Sequence, residues 1–112
     1  MSNFYCRVIR QHFLNEFSKK SMQDFLKNIT SKVGYSRGLV MRLNVDISET
    51  QRMAINIYKD KKSAMKVWDE YGKKIVNDTK EAGVRVEVLE GNITVFDIGP
   101  DIDLSKLDKY EI

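Results

Sequence analysis

The chain has 112 residues, 42% of them hydrophobic and 31% charged, with one proline, which is the composition of a single globular domain with one core. Its net charge of +3 comes from 19 basic residues scattered among 16 acids, so charge selects neither nucleic acid nor a membrane surface as partner. A single cysteine, Cys6, excludes an intramolecular disulfide and fits a reducing cytoplasm.

The opening MSNFYCRVIRQ carries no signal-peptide apolar region. No run approaches the roughly 18 apolar residues of a membrane span. The expectation is a soluble cytoplasmic domain without a membrane partner, in which the Asn-x-Thr triplets at Asn28, Asn77 and Asn92 are chance matches.

Phe4 to Phe13 is the first predicted strand. Phe4, Cys6, Val8, Arg10 and His12 share one parity, and Tyr5, Arg7, Ile9, Gln11 and Phe13 the other, so both faces carry apolar residues and both are expected to be covered. A helix follows, with Asn15, Ser18 or Ser21 as its cap. The stripe Met22, Phe25, Leu26, Ile29 and Val33 defines it, Gly34 closes it, and Lys27 and Lys32 sit where the helix dipole favours positive charge.

From Gly38 the cleanest alternation in the chain sets Leu39, Met41, Leu43, Val45 and Ile47 against Val40, Arg42, Asn44 and Asp46. The polar connection Ser48-Glu49-Thr50-Gln51 leads into a second alternating run, Arg52 to Tyr58, predicting an antiparallel hairpin. Asp60 is the expected N-cap of a second helix, whose stripe is Ala64, Trp68, Tyr71, Ile75, Thr79 and Ala82, with Gly83 past its end. Val84, Val86 and Val88 then alternate with Arg85, Glu87 and Leu89. Gly91-Asn92 allows a bulge, and Ile93 to Ile98 continues as a strand or as a separate short one. Residues 1–99 form the predicted domain. Residues 100–112 form a tail in which Ile102, Leu104, Leu107 and Tyr110 predict docking on the domain or on a partner subunit.

The order strand, helix, strand, strand, helix, strand, with right-handed crossovers, predicts an α+β, ferredoxin-like βαββαβ fold: a four-stranded antiparallel sheet with two helices on one face. Its second face is then open. Apolar residues on both parities of the first strand, with Val40, Tyr58, Leu89 and Phe96 on the minority parities elsewhere, make that face adhesive. A two-fold homodimer, packed sheet to sheet, is the expected remedy.

Three segments also carry a family resemblance: Met53 to Tyr58 running into Lys59-Asp60-Lys61-Lys62-Ser63-Ala64-Met65, Gly34-Tyr35-Ser36-Arg37-Gly38, and Val95-Phe96-Asp97-Ile98-Gly99. Together they resemble the antibiotic-biosynthesis-monooxygenase-like domains of the dimeric α+β barrel superfamily, over about residues 4 to 99. The resemblance implies a homodimer whose two sheets close into a barrel, with a small-molecule pocket between sheet and helices in each subunit. Some relatives are cofactor-independent oxygenases of polycyclic phenols or quinols, and others degrade haem. This chain has Tyr58 where relatives commonly have tryptophan, no histidine among Ile75, Val76, Asn77, Asp78 and Thr79, and no asparagine on its first strand, so haem degradation is not implied.

The candidate catalytic pair is His12, the only histidine and a general base if it lines the pocket, otherwise a partly exposed strand-end side chain, and Arg10, two residues away on the same parity, which would then hold the oxyanion. Tyr58, Trp68 and Tyr71 are candidate walls for a planar substrate, or else core. Asn44, Asn56 and Arg42 share one face and bind a ligand carbonyl or carboxylate if that face lines the pocket. If not, they meet solvent or the dimer seam. Cys6 reads as a small buried apolar residue. One histidine and one cysteine do not make a transition-metal site, and no glycine loop cradles a phosphate, so neither metal nor cofactor is expected. The same topology serves RNA-recognition modules. Here, however, Arg37-Gly38-Leu39-Val40-Met41-Arg42-Leu43 falls on the second strand and lacks base-stacking aromatics. The resulting expectation is a cofactor-independent, monooxygenase-like protein acting on a small, mainly apolar, oxygen-bearing molecule; the alternative is a non-catalytic ligand-binding or stress-related barrel.

Overall fold

The computed structural model describes residues 3–33 and 35–103, and the side chains of all of these except 25–33. Gly34, the side chains of Phe25, Leu26, Ile29 and Val33, and the tail from Leu104 onward therefore lie outside the described residues.

The order is β1 (Tyr5–His12), α1 (Glu16–Val33), a 3-10 turn (Tyr35–Arg37), β2 (Leu39–Ser48), β3 (Gln51–Tyr58), α2 (Lys61–Val67), a π turn (Trp68–Gly72), α3 (Lys73–Glu81) and β4 (Arg85–Asn92). The sheet runs β2-β3-β1-β4, and every neighbouring pair is antiparallel. This is the ferredoxin-like βαββαβ arrangement expected from the sequence.

Local chemistry sets the element ends. Asn15 caps α1, its Oδ1 accepting from Ser18 N–H at 2.8 Å, which decides among the three candidate caps. Asp60 caps α2 in the same way, accepting from Ser63 N–H at 2.7 Å. Gly83 follows α3 with φ +90°, a left-handed value that glycine adopts without a Cβ clash. The second helix is continuous from Lys61 to Glu81 but not uniform, since Trp68–Gly72 is π-helical. Residues 93–98 are not a strand. Ile93 N–H still bonds Phe4 C=O at 2.9 Å, and the Phe96 ring packs edge-on against Phe4 at 5.6 Å, but the ladder ends at Asn92.

Register fixes which parity faces the helices. Tyr5 opposes Tyr58, Arg7 opposes Asn56, Ile9 opposes Ala54 and Gln11 opposes Arg52. Tyr5 and Tyr58 belong to the buried cluster with Leu39, Ala64 and Val67, so this parity is the helix-facing one. Arg42, Asn44 and Asp46 pair with Asn56, Ala54 and Arg52 and join it. A bulge between Leu39 and Met41 switches parity, so Leu39 enters the helix-side core while Met41, Leu43 and Val45 face away.

The consequence is an inverted sheet. Its helix-facing side holds Arg7, Gln11, Arg42, Asn44, Arg52 and Asn56, whereas its open side holds Cys6, Val8, Met41, Leu43, Val45, Met53, Ile55, Ile57 and Leu89. Tyr58, counted among the residues of an adhesive open face, is instead buried under the helices. On β2 and β3 the apolar load of the open face comes from the majority parities, and on β4 it comes from Leu89.

Candidate ligand site between the sheet and α3

The polar residues of the helix-facing side surround a cavity of about 70 Å³. Ile9 and Ala54, small or slender in the middle of β1 and β3, form its floor, and Ile75, Val76 and Thr79 of α3 form its roof. Around the edge stand Gln11, Arg42, Asn44, Arg52 and Asn56. Strand alternation delivers these side chains to one face, and the short side chain of Ala54 leaves the space between them.

Arg52 dominates the electrostatics. It is buried at 5% exposure, and its Nη2 donates to Asn44 Oδ1 at 2.9 Å. Burial first, and the nearby Arg42 guanidinium second, push its pKa below the ordinary arginine value. Asp46 opposes Arg52 across the strands, but its carboxylate is held by Lys19 Nζ at 2.9 Å and Gln23 Nε2 at 3.1 Å. Thr79, which lines the cavity, donates from Oγ1 to Ile75 C=O at 2.7 Å, so what its hydroxyl oxygen still offers is acceptor capacity. A wider groove of about 580 Å³ lies between α1 and α3, lined by Phe17, Met22, Lys74, Asp78 and Val84 among others. Ile75 and Thr79 line both spaces, so cavity and groove adjoin at these two residues.

Of the residues singled out in the sequence, Arg42, Asn44 and Asn56 are brought together here. Tyr58, Trp68 and Tyr71 lie elsewhere on the helix side, with arginines over their rings. Arg7, only 2% exposed, stacks 4.8 Å from the Trp68 ring and 5.7 Å from Tyr58, while Arg37 stacks 4.8 Å from Tyr71. Arg7 Nε donates to Glu90 at 2.7 Å, Nη1 to Ala64 C=O at 3.0 Å and Nη2 to Met65 Sδ at 3.7 Å. That guanidinium staples β1 and β4 to α2. Burial also pushes the Tyr58 phenol up, against the lowering effect of Arg7.

His12 and Arg10 stand on the opposite parity, hence on the open face, with the sheet between them and both the aromatic rings and the cavity. His12 Nε2 lies 3.6 Å from Glu87, its Nδ1 lies 3.4 Å from Arg85, and Arg10 Nη2 donates to Gln51 at 3.0 Å. They form a polar end to an otherwise apolar surface. Cys6 is on the same face, and burial pushes its thiol up, away from the thiolate. Gln11, Arg52 and Thr79 were not singled out by sequence reasoning. The signal available for Arg52 was its shared parity with Asn56.

The sequence matches no protein-family model and no curated protein. Solved structures do share its shape. A dimeric ferredoxin-like protein from an uncultured marine organism superposes with a TM-score of 0.69 at 15% identity, over 85% of this chain and 99% of that one. A protein of unknown function from Nitrosomonas europaea gives 0.64 at 7% identity, over 88% and 98%. SnoaB, a cofactor-independent oxygenase from Streptomyces nogalater, gives 0.62 at 12% identity, over 89% and 100%. The resemblance to antibiotic-biosynthesis-monooxygenase-like domains therefore holds at the level of fold, across nearly the whole domain.

Proposed function

We propose that the protein is a homodimeric α+β barrel that binds a small, mainly apolar, oxygen-bearing molecule between its sheet and α3, and that cofactor-independent oxygenation is its reaction. The observation that carries the binding reading is the cavity itself: apolar floor and roof, with amide and guanidinium groups converging from three strands. Such groups fix the oxygen atoms of a ligand whose hydrocarbon part lies along the adjoining groove. The fold shared with SnoaB supports the choice of reaction. In that chemistry an electron-rich substrate reacts directly with dioxygen. A CH2 carbon oxidised to C=O gives up four electrons, one oxygen atom enters the product and the other leaves as water, so no external reductant is consumed.

A specific observation favours the second reading, a non-catalytic ligand-binding barrel. Among the described residues, the cavity wall contains no histidine, cysteine, tyrosine or carboxylate to abstract a proton. His12 and Arg10 act as catalytic residues only if the substrate reaches the open face, inside the barrel that two copies enclose.

Dimerisation is supported by that open face. Leu43, Val45, Ile47 and Leu89 are 48%, 39%, 43% and 66% exposed, and a contiguous apolar sheet surface of this kind is not left in water. Among the described residues no helix is long and apolar enough to cross a membrane. The lone Cys6 fits a cytoplasmic setting.

Oxygen uptake with a panel of anthrones and quinols, without added flavin, haem or metal, tests the reaction. Uptake that exceeds the protein-free rate and is lost in an Arg52→Met, Asn56→Ala double variant supports oxygenation. Native mass spectrometry showing a bound small molecule, with no uptake for any substrate, favours the non-catalytic reading. Light scattering that gives a monomer at micromolar concentration removes the dimer and the barrel together.

A further inference from the structure

Two buried arginines face the helices, and they are served differently. Arg7 has all three of its nitrogens engaged and a carboxylate, Glu90, at 2.7 Å. Arg52 is as deeply placed, yet among the described residues its Nε and Nη1 have no hydrogen-bond partner, nor has Oε1 of its cross-strand neighbour Gln11, itself 4% exposed. Asp46, the carboxylate opposite, is turned to Lys19 and Gln23. A buried guanidinium with two unmet nitrogens is costly unless something completes it. These groups border the cavity.

We propose that the cavity is a carboxylate site, in which Arg52 receives the head group of a small amphipathic acid whose apolar body passes Ile75 and Thr79 into the groove between α1 and α3. This rests on the small-molecule reading above and narrows it to a substrate class. Hydrogen bonding favours a carboxylate: the guanidinium is planar and always charged, and its unmet Nε and Nη1, on different edges of that plane, each offer a charge-assisted bond to a carboxylate oxygen. Size agrees. A cavity of about 70 Å³ is about half the ~150 Å³ that takes a benzene ring, so it suits a carboxylate and not a ring system. The groove of about 580 Å³ falls within the usual range for small-molecule pockets and holds the remainder. Charge agrees too, because Arg42 adds a second cation at the cavity edge and, among the described residues, no wall residue is acidic.

Calorimetric titration of the full chain with octanoate and with octanol separates head-group recognition from apolar binding. Octanoate is expected to bind about 10- to 100-fold tighter than octanol, the range of a charge-assisted bond. In Arg52→Met the octanoate affinity falls to that of octanol, while octanol binding stays within about twofold. Gln11→Glu places a carboxylate beside Arg52 within the chain. It is expected to raise the melting temperature of the ligand-free protein and to abolish the octanoate preference. The wild-type comparison and Gln11→Glu are independent of Arg52→Met, so they still decide between the outcomes if that variant fails to fold. Equal wild-type affinities, or a preference that survives Gln11→Glu, overturn the carboxylate site and leave the small-molecule reading standing; a cavity filled only by water gives the first of these. Binding of neither compound overturns both.

Discussion

Arg7 illustrates how one buried charge is made tolerable. Its guanidinium lies between two aromatic faces and donates to a carboxylate, a carbonyl and a thioether sulfur, so desolvation is met from every side. Arg7→Met is expected to lower unfolding free energy by about 2–4 kcal/mol in urea titrations, because it unlinks β1 from α2 and leaves Glu90 unpaired. Glu90→Gln should cost less, since a glutamine Oε1 can still accept from Arg7 Nε and the charge removed sits on a side chain one-third exposed. The same pair sets a pH dependence. The hydrogen bond from Arg7, more than the one from Tyr5, holds the Glu90 carboxyl below its ordinary range. Its folded value thus lies below its unfolded one, so the stabilisation is complete above the normal carboxylate range and is lost as pH falls through the folded value. The stability gap between wild type and Glu90→Gln should therefore be full at pH 7 and shrink toward pH 3. A constant gap would mean that the pair is not the source. Residues of this kind are half legible in sequence. Alternation alone puts Arg42, Asn44 and Asn56 on one face, but it does not say whether that face meets the helices, solvent or a partner subunit. Arg52 has the same parity, but it begins β3 next to a polar connection, and its burial depends on α3 closing over it. Gln11 is masked by Arg10 and His12 on either side.

At the scale of elements, the helix from Lys61 to Glu81 shows what periodicity cannot convey. Val67 and Val76 are both buried although nine residues apart, which at about 100° per residue places them on opposite sides of a regular α-helix. The extra residue of the π turn at Trp68–Gly72 takes back about 100° and returns α3 toward the sheet. That turn is what lets one helix cover the aromatic core with α2 and roof the cavity with α3. The capping residues Asn15 and Asp60 and the terminal Gly83 were legible because each is a local solution to unpaired helix ends. The loss of strand after Asn92 was not, because Ile93 to Ile98 alternate like a strand but have no neighbour to pair with. Glycine tests at element ends separate two causes. Gly38 and Gly83 have nearly equal φ, +97° and +90°. A Cβ on Gly83 would meet only Leu14 Cδ1 at 3.7 Å, whereas one on Gly38 would meet Ser63 Cβ at 2.8 Å, in the first turn of α2. Gly83→Ala is expected to cost about 1 kcal/mol from backbone conformation alone. Gly38→Ala should cost about 2–4 kcal/mol, because Ser63 must move and the Asp60 cap moves with it. Thermal denaturation of the two variants compares them directly, and equal losses would show that the Ser63 contact relaxes freely.

At the scale of the whole molecule, the inverted sheet ties the site to the assembly. A helix-facing side rich in arginine and amide groups cannot supply the full hydrophobic drive of folding, while the open side carries Val8, Leu43, Val45, Ile55 and Leu89 in one block. A second copy packed on that block would supply the missing burial, and the polar end formed by Arg10, His12, Arg85 and Glu87 would fix its register. The layout of strands and helices was legible because each element announces itself locally. Which parity faced inward was not, since nothing in an alternating strand says which side its helices will take. Leu43→Glu tests the idea at a position that leaves the single chain largely undisturbed, because Leu43 is 48% exposed there. A carboxylate buried in a sheet-to-sheet interface must be desolvated among apolar neighbours, so the dimer dissociation constant is expected to rise by about 100-fold or more. Light scattering should then show monomers at concentrations where the wild type is dimeric, with the circular dichroism spectrum retained. A Leu43→Glu protein that stays dimeric would place the contact on another surface and leave the apolar face without its proposed cover.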